Sequence, residues 1–405
     1  MLSSVVQTTP VRRTLAFKSV LASLLDGAEL PPNGVSNLDY LRSLSVIPSA
    51  QIAAARSPFV AQSVHVLGSE LALSPRIKAH SLEWLLMCSF DALFANLDVG
   101  QQIEITRSDD ISLPYLGLEF RSEGPLVLSK HSDRALTIIT PDGTQVIEIG
   151  AVPTPFRAKT IRFPQLSGAG VLVSTSNVLF DEACRRKILA DCGHAETIAA
   201  IGGDALAILM SLPHEFLTLL DLLTWVVPID STDPHVHCSF TSAKLDGVVF
   251  LSKNTTAMGM AEALVHELSH SELNLIAESY DLFGREDPAR LFYSPWRSDP
   301  RPFSGLLHAL HVFSRVLRMY DAAVDCAECD QATALERGDL IAHRLMLGLE
   351  QLRNFQLSDA AANIIGSIRA TAEDYVERHH PSKPPVIDAH LRAWTGANPG
   401  LSAYQ

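Results

Sequence analysis

The chain is short of positive charge: 32 Lys and Arg stand against 45 Asp and Glu in 405 residues, a formal net charge of −13. Proteins that hold nucleic acid neutralise phosphates with clustered cations, so no nucleic-acid partner is expected. A peptide, or a small anion held locally, fits this charge balance. Long apolar runs are lacking too. The most apolar stretches, residues 205–212 and 216–227, are interrupted by polar side chains and by the Pro213-His214-Glu215 turn. They read as core helices, and no membrane partner is expected. No apolar stretch closing on a small-residue cleavage site follows Arg12 and Arg13, so cytoplasmic residence is the expectation. Cysteine is sparse and scattered: Cys88, Cys184, Cys192, Cys238, Cys326 and Cys329 do not form the dense framework of a small disulfide-stapled domain, and free thiols are expected. Cys326-Ala-Glu-Cys329 has no second pair, so it reads as two neighbours in a helical, acidic context rather than a zinc knuckle. Internal repeats and low-complexity tracts are absent.

With 47% apolar and 19% charged residues, the composition is that of a folded globular protein able to bury a sizeable core. Residues 1–100 read as a helical N-terminal region, with Leu15, Phe17, Val20, Leu21 and Leu24 at helical spacing and breaks at Pro31-Pro32 and Ser74-Pro75. Residues 101–180 read as β-rich: short runs beginning at Ile103, Leu126, Leu136, Val146 and Gly170 are separated by turn signals such as Pro141-Asp142-Gly143. Residues 181–405 form the expected metal-binding catalytic region. Helical periodicity returns up to Val227, strand runs follow at Val236 and Gly247, and helices resume beyond Arg301 to about His380, before a proline-rich tail. An α+β fold follows, with a β-rich middle and helices carrying the site. A strand edge beside those helices would let an extended peptide pair by main-chain hydrogen bonds.

The chemistry concentrates at His266-Glu267-Leu268-Ser269-His270. Positions i and i+4 share one helix face, so both imidazoles can converge on one metal ion with the glutamate beside it. Asn254, Thr255 or Thr256 can cap a helix running through Glu278. Ala261, Leu264, Val265, Leu268 and Leu275 form its buried stripe, and Glu262, His266, His270 and Asn274 the polar stripe next to it. Glu262 or Asn274 could hold the second imidazole nitrogens. The longer HExxHxxGxxH pattern fails, because Leu273 stands at its glycine and Ile276 at its third histidine. Candidates for a third ligand are therefore Glu278, His308 and His311. Two histidines and one further ligand can hold zinc with a water, or Fe(II) with open positions. Downstream, Trp296-Arg297-Ser298-Asp299-Pro300-Arg301-Pro302 is stiff and locally cationic, and its arginines suit bidentate carboxylate recognition unless Arg297 is taken by Asp299.

His266 to His270 followed by Ser294-Pro295-Trp296-Arg297-Ser298-Asp299-Pro300-Arg301-Pro302-Phe303-Ser304-Gly305-Leu306-Leu307-His308 resembles the HExxH-motif peptide-modification proteins. That family is linked to biosynthesis of ribosomally synthesised, post-translationally modified peptides, and the resemblance covers about residues 236–320. It implies a core related to gluzincin-type metallopeptidases, dependence on Fe(II), 2-oxoglutarate and dioxygen, and hydroxylation at the β-carbon of a precursor-peptide residue. Carried over by position, it implies metal ligands His266, His270 and His308. On this reading Arg301 or Arg297 meets the far carboxylate of 2-oxoglutarate, His311 stands near that co-substrate, and Glu267 belongs to the catalytic set. Two rival expectations are a zinc-dependent peptidase with Glu267 as general base and a non-catalytic peptide-binding protein with a structural metal.

Overall fold

A computed structural model gives the fold. The described residues are 40, 57, 59–64, 75–106, 109–122, 124–149, 157–158, 160–163, 166, 169–172, 192–229, 237–284, 287, 290–326, 329–382 and 384–398. The expected helical stripe from Leu15 to Leu24, the Pro31-Pro32 break and Cys184 lie outside them. Helix α1 (Pro75–Leu93) starts at the proline of the Ser74-Pro75 break, where a missing N–H costs the helix nothing. Nine strands follow: β1 (Gln102–Ile105), β2 (Asp109–Leu113), β3 (Leu118–Ser122), β4 (Leu126–Ser132), β5 (Ala135–Thr140), β6 (Gly143–Glu148), β7 (Arg157–Ala158), β8 (Thr160–Arg162) and β9 (Gly170–Leu172). The β-rich reading of this stretch is thus realised. Strands β1, β4, β5 and β6 make an antiparallel sheet in the order β1-β4-β5-β6, while β2, β3 and β7 make a smaller one.

Helices α2 (Cys192–Ser211) and α3 (His214–Leu220) precede β10 (Trp225–Pro228), β11 (Ser239–Thr241) and β12 (Val248–Leu251). The remainder is helical: α4 (Ala257–Ser279), α5 (Phe303–Val324), α6 (Gln331–Glu350), α7 (Asp359–His379) and α8 (Pro385–Ala397). No described helix is long and apolar enough to cross a membrane.

The sheet that positions the site runs β11-β12-β10-β9-β8. Its inner strands pair in parallel, β10 with both β12 and β9, while β11 runs antiparallel to β12 at the edge. Alternate residues of β10 and β12 serve two cores, as a period of two demands. Val226, Val249 and Leu251 face the helices that carry the site, whereas Trp225, Val227, Val248 and Phe250 face α1 and the four-stranded sheet. Gly247, just before β12, has φ 77, and a Cβ there would meet Leu222 O at 2.1 Å, so only glycine lets β12 start this close to the α3–β10 turn.

Three expectations need correction. Residues 216–227 are not wholly helical, because Trp225–Pro228 is a strand. A parallel strand buried on both faces is apolar throughout, and periodicity cannot separate it from a buried helix. The proline-rich tail is not the end of helical structure either: α7 closes on left-handed His380 (φ 48), and Pro385 then opens α8 at the first helical position. Cys326 and Cys329 lie in the connection between α5 and α6, not on a helix, and neither is in a disulfide, nor are Cys88 and Cys238.

Candidate metal centre

Helix α4 forms where its cap and stripe predict. Thr256 Oγ1 accepts the Gly259 N–H, and Ala261, Leu264, Val265, Leu268 and Leu275 are all buried. Burial of each large side chain contributes about 1.5–3 kcal/mol. The histidines therefore stand on a rigid element whose stability does not depend on them. Helix α5 packs antiparallel against α4, with His308 opposite His270 and Tyr320 opposite Glu262. Its own apolar face, Leu306, Leu310 and Leu317 among others, is buried.

This packing brings His270 Nδ1 to 3.1 Å from His308 Nδ1. Such a pair is either a hydrogen bond between opposite tautomers or two lone pairs aimed at one cation. Nitrogens about 2.0–2.1 Å from a tetrahedral ion stand about 3.3 Å apart, so the spacing fits shared coordination. The His266 ring lies edge-on to His270, with centroids 5.1 Å apart. Among the described residues no three His, Cys, Asp or Glu side chains are gathered tightly enough to hold an ion. Of the three imidazoles, only His270 and His308 have ring nitrogens within hydrogen-bond distance of one another. Burial depresses all three imidazoles, His266 to about 4, His270 to about 3 and His308 to about 4. They are neutral near pH 7, with lone pairs free for a metal. The donor chemistry thus fits a divalent transition metal.

Glu267 is almost wholly buried, and burial raises its carboxyl to about 7, partly offset by the Ser239 hydroxyl, which donates to Oε1 at 2.7 Å. Ser239 belongs to β11, so the edge strand is tied directly to α4. Around the imidazoles, Phe313 meets His266 at 5.1 Å and stacks flat on Trp296 at 4.4 Å, while Phe283 lies over His308 at 6.1 Å. Phe283 also walls a cleft of about 510 Å³ whose lining includes Phe292, Phe303, Phe355 and Arg290.

The remaining candidates are placed elsewhere. Glu278 is exposed in the last turn of α4, about 12 Å along the axis from His270. His311 is buried and gives its Nε2 to Glu272 Oε2 at 2.9 Å, a carboxylate that Arg315 also grips. Arg297 and Arg301 both turn to Asp299 at 3.0 Å, Arg297 largely exposed. Glu262 accepts from Tyr320 at 2.6 Å and from Arg337, so it does not orient an imidazole.

Ser239, Glu272, Arg315 and Arg337 were not singled out from the sequence. Only Glu272 carried a local signal, as an apolar-stripe neighbour two positions past His270. No family model matches this chain, and no curated protein matches it.

Proposed function

We propose that the protein is an Fe(II)- and 2-oxoglutarate-dependent oxygenase that hydroxylates, at a β-carbon, a residue of a ribosomally synthesised precursor peptide in the cytoplasm, on a core related to gluzincin metallopeptidases. The observation that carries this reading is the 3.1 Å approach of His270 and His308, because it joins the two halves of the motif on which the family resemblance rests. His266, His270 and His308 would hold the ion as neutral imidazoles. When bound, Fe(II) supplies open positions for the 2-oxo acid and dioxygen and carries the oxidative chemistry.

The chain's own part is to bind, orient and exclude water. Strand β11 is the last strand of its sheet among the described residues, so it offers main-chain groups to which an extended peptide can add. The Ser239–Glu267 hydrogen bond holds that edge against the metal helix. Arg301 or Arg297 would meet the far carboxylate of 2-oxoglutarate after leaving Asp299. Exposed pairs of that kind are worth only about 0–1 kcal/mol, so the exchange is cheap.

One observation favours a second reading, a zinc-dependent peptidase. Glu267 is a buried carboxyl poised near neutral pH beside the imidazoles, which is what a general base requires. Metal analysis of anaerobically purified protein, with succinate release measured on a candidate peptide, decides between them. Iron together with succinate is expected, with Glu267→Gln retaining part of the hydroxylation. Peptide cleavage without 2-oxoglutarate, abolished by Glu267→Gln, would establish the peptidase instead.

A further inference from the structure

A buried N–H without an acceptor is rare in a folded protein and calls for a partner. Trp296 Nε1, Arg301 Nε, Arg344 Nε and Trp394 Nε1 are all such donors; Arg301 Nε lies 3.0 Å from Asp299 Oδ2 but off the line of a hydrogen bond. They share one neighbourhood. Trp296 and Arg301 belong to the segment joining α4 to α5, Trp394 packs edge-on against Tyr293 of that segment at 5.0 Å, and Arg344 is close enough to Tyr293 and Arg337 to feel both electrostatically.

The helix register places this neighbourhood level with the imidazoles. Helices α5 and α6 run antiparallel: Arg337 and Tyr320 share Glu262, and Gly348 meets the Leu310 side chain, where a Cβ would stand 2.8 Å from Leu310 Cδ2. Counting between those two points sets Arg344 opposite Phe313, the ring that stacks on Trp296 and touches His266. The other arginines nearby are occupied: Arg297 and Arg301 by Asp299, Arg315 by Glu272, Arg337 by Glu262. Arg344 has no carboxylate partner among the described residues, although it is half-buried.

We propose that Arg344 is the cation of a carboxylate-binding subsite beside the histidine cluster, with Trp296 Nε1 as a second donor. A half-buried guanidinium binds a carboxylate more strongly than an exposed one, because less water competes. Resting on the oxygenase reading, the ligand is the far carboxylate of a small 2-oxo diacid, and Arg344 takes the role first given to Arg301 and Arg297. A peptide's terminal carboxylate has the same chemistry.

Calorimetric titration of the full-length Mn(II)-loaded protein tests this with two pairs of probes. The first is 2-oxoglutarate against 2-oxobutyrate, which lacks the far carboxylate; the second is a short peptide as free acid against its C-terminal amide. The parent protein is expected to prefer 2-oxoglutarate by about tenfold or more, as one charged hydrogen-bonded contact implies. Arg344→Gln should erase that preference, Arg344→Lys restore part of it, and Trp296→Phe, which keeps the ring stack, weaken it severalfold. Arg353→Gln, at an exposed arginine paired with Glu350, should leave it unchanged. An Arg344-dependent preference for the free-acid peptide alone would keep the subsite and assign it to the peptide. A preference untouched by Arg344→Gln in a variant with unaltered circular dichroism, or no preference in either pair, overturns the proposal. Succinate release is scored separately: its absence alongside an Arg344-dependent preference defeats the oxygenase reading and not the subsite.

Discussion

Two clusters of buried titratable side chains are shared by α4 and α5, and they are in opposite states. In one, Glu272 is fully buried and accepts from His311 and Arg315. Burial alone would raise its carboxyl, but those two partners outweigh burial and hold it down at about 2. In the other, His266, His270 and His308 have no carboxylate hydrogen-bonded to them among the described residues, and burial keeps them neutral. A buried group with its partners in place adds to the stability of the helix pair. A buried group whose lone pair is left uncommitted is available to a ligand.

The largest expected effect breaks the satisfied cluster. Glu272→Ala leaves Arg315 and His311 without their shared carboxylate, and loss of one partner of a buried ion pair costs about 3–5 kcal/mol. Urea denaturation should show that loss, and a change below about 1 kcal/mol would erase the contrast between the clusters. Next, His270→Ala and His308→Ala are each expected to abolish metal retention while circular dichroism stays that of the parent, because the buried stripe of α4 holds the helix without them. Full metal occupancy in either variant would move the site elsewhere. The smallest effect is expected from Ser239→Ala, which removes one hydrogen bond to Glu267 and should cost about 1 kcal/mol. Metal retention should survive it, since Ser239 touches no imidazole; loss of metal on that change would make the β11 contact part of the centre rather than its support.

Much of the fold was legible because its signals are local. The cap at Thr256, the stripe from Ala261 to Leu275 and the alternation in β4 and β5 follow from spacings of a few residues. Strand β10 escaped because a strand buried on both faces has no alternation to read. Helix α8 escaped because Pro385 looks like a breaker until it is seen to occupy the first helical position.

The site divides in the same way. By itself the sequence determined that His266 and His270 share a helix face, that Glu267 stands beside them, and that a stiff arginine-bearing segment leads to a second histidine helix. Tertiary structure decided the rest. Of the two histidines three residues apart on α5, His308 meets His270 across 38 positions of chain while His311 turns to Glu272. Arg297 and Arg301 are drawn to Asp299, and Arg344 is set level with Phe313. The physical reason is that a helical period specifies which side chains share a face but not how far one helix slides along its neighbour. That register is set by close contacts such as Leu310 against Gly348, and it chooses which imidazoles and cations meet.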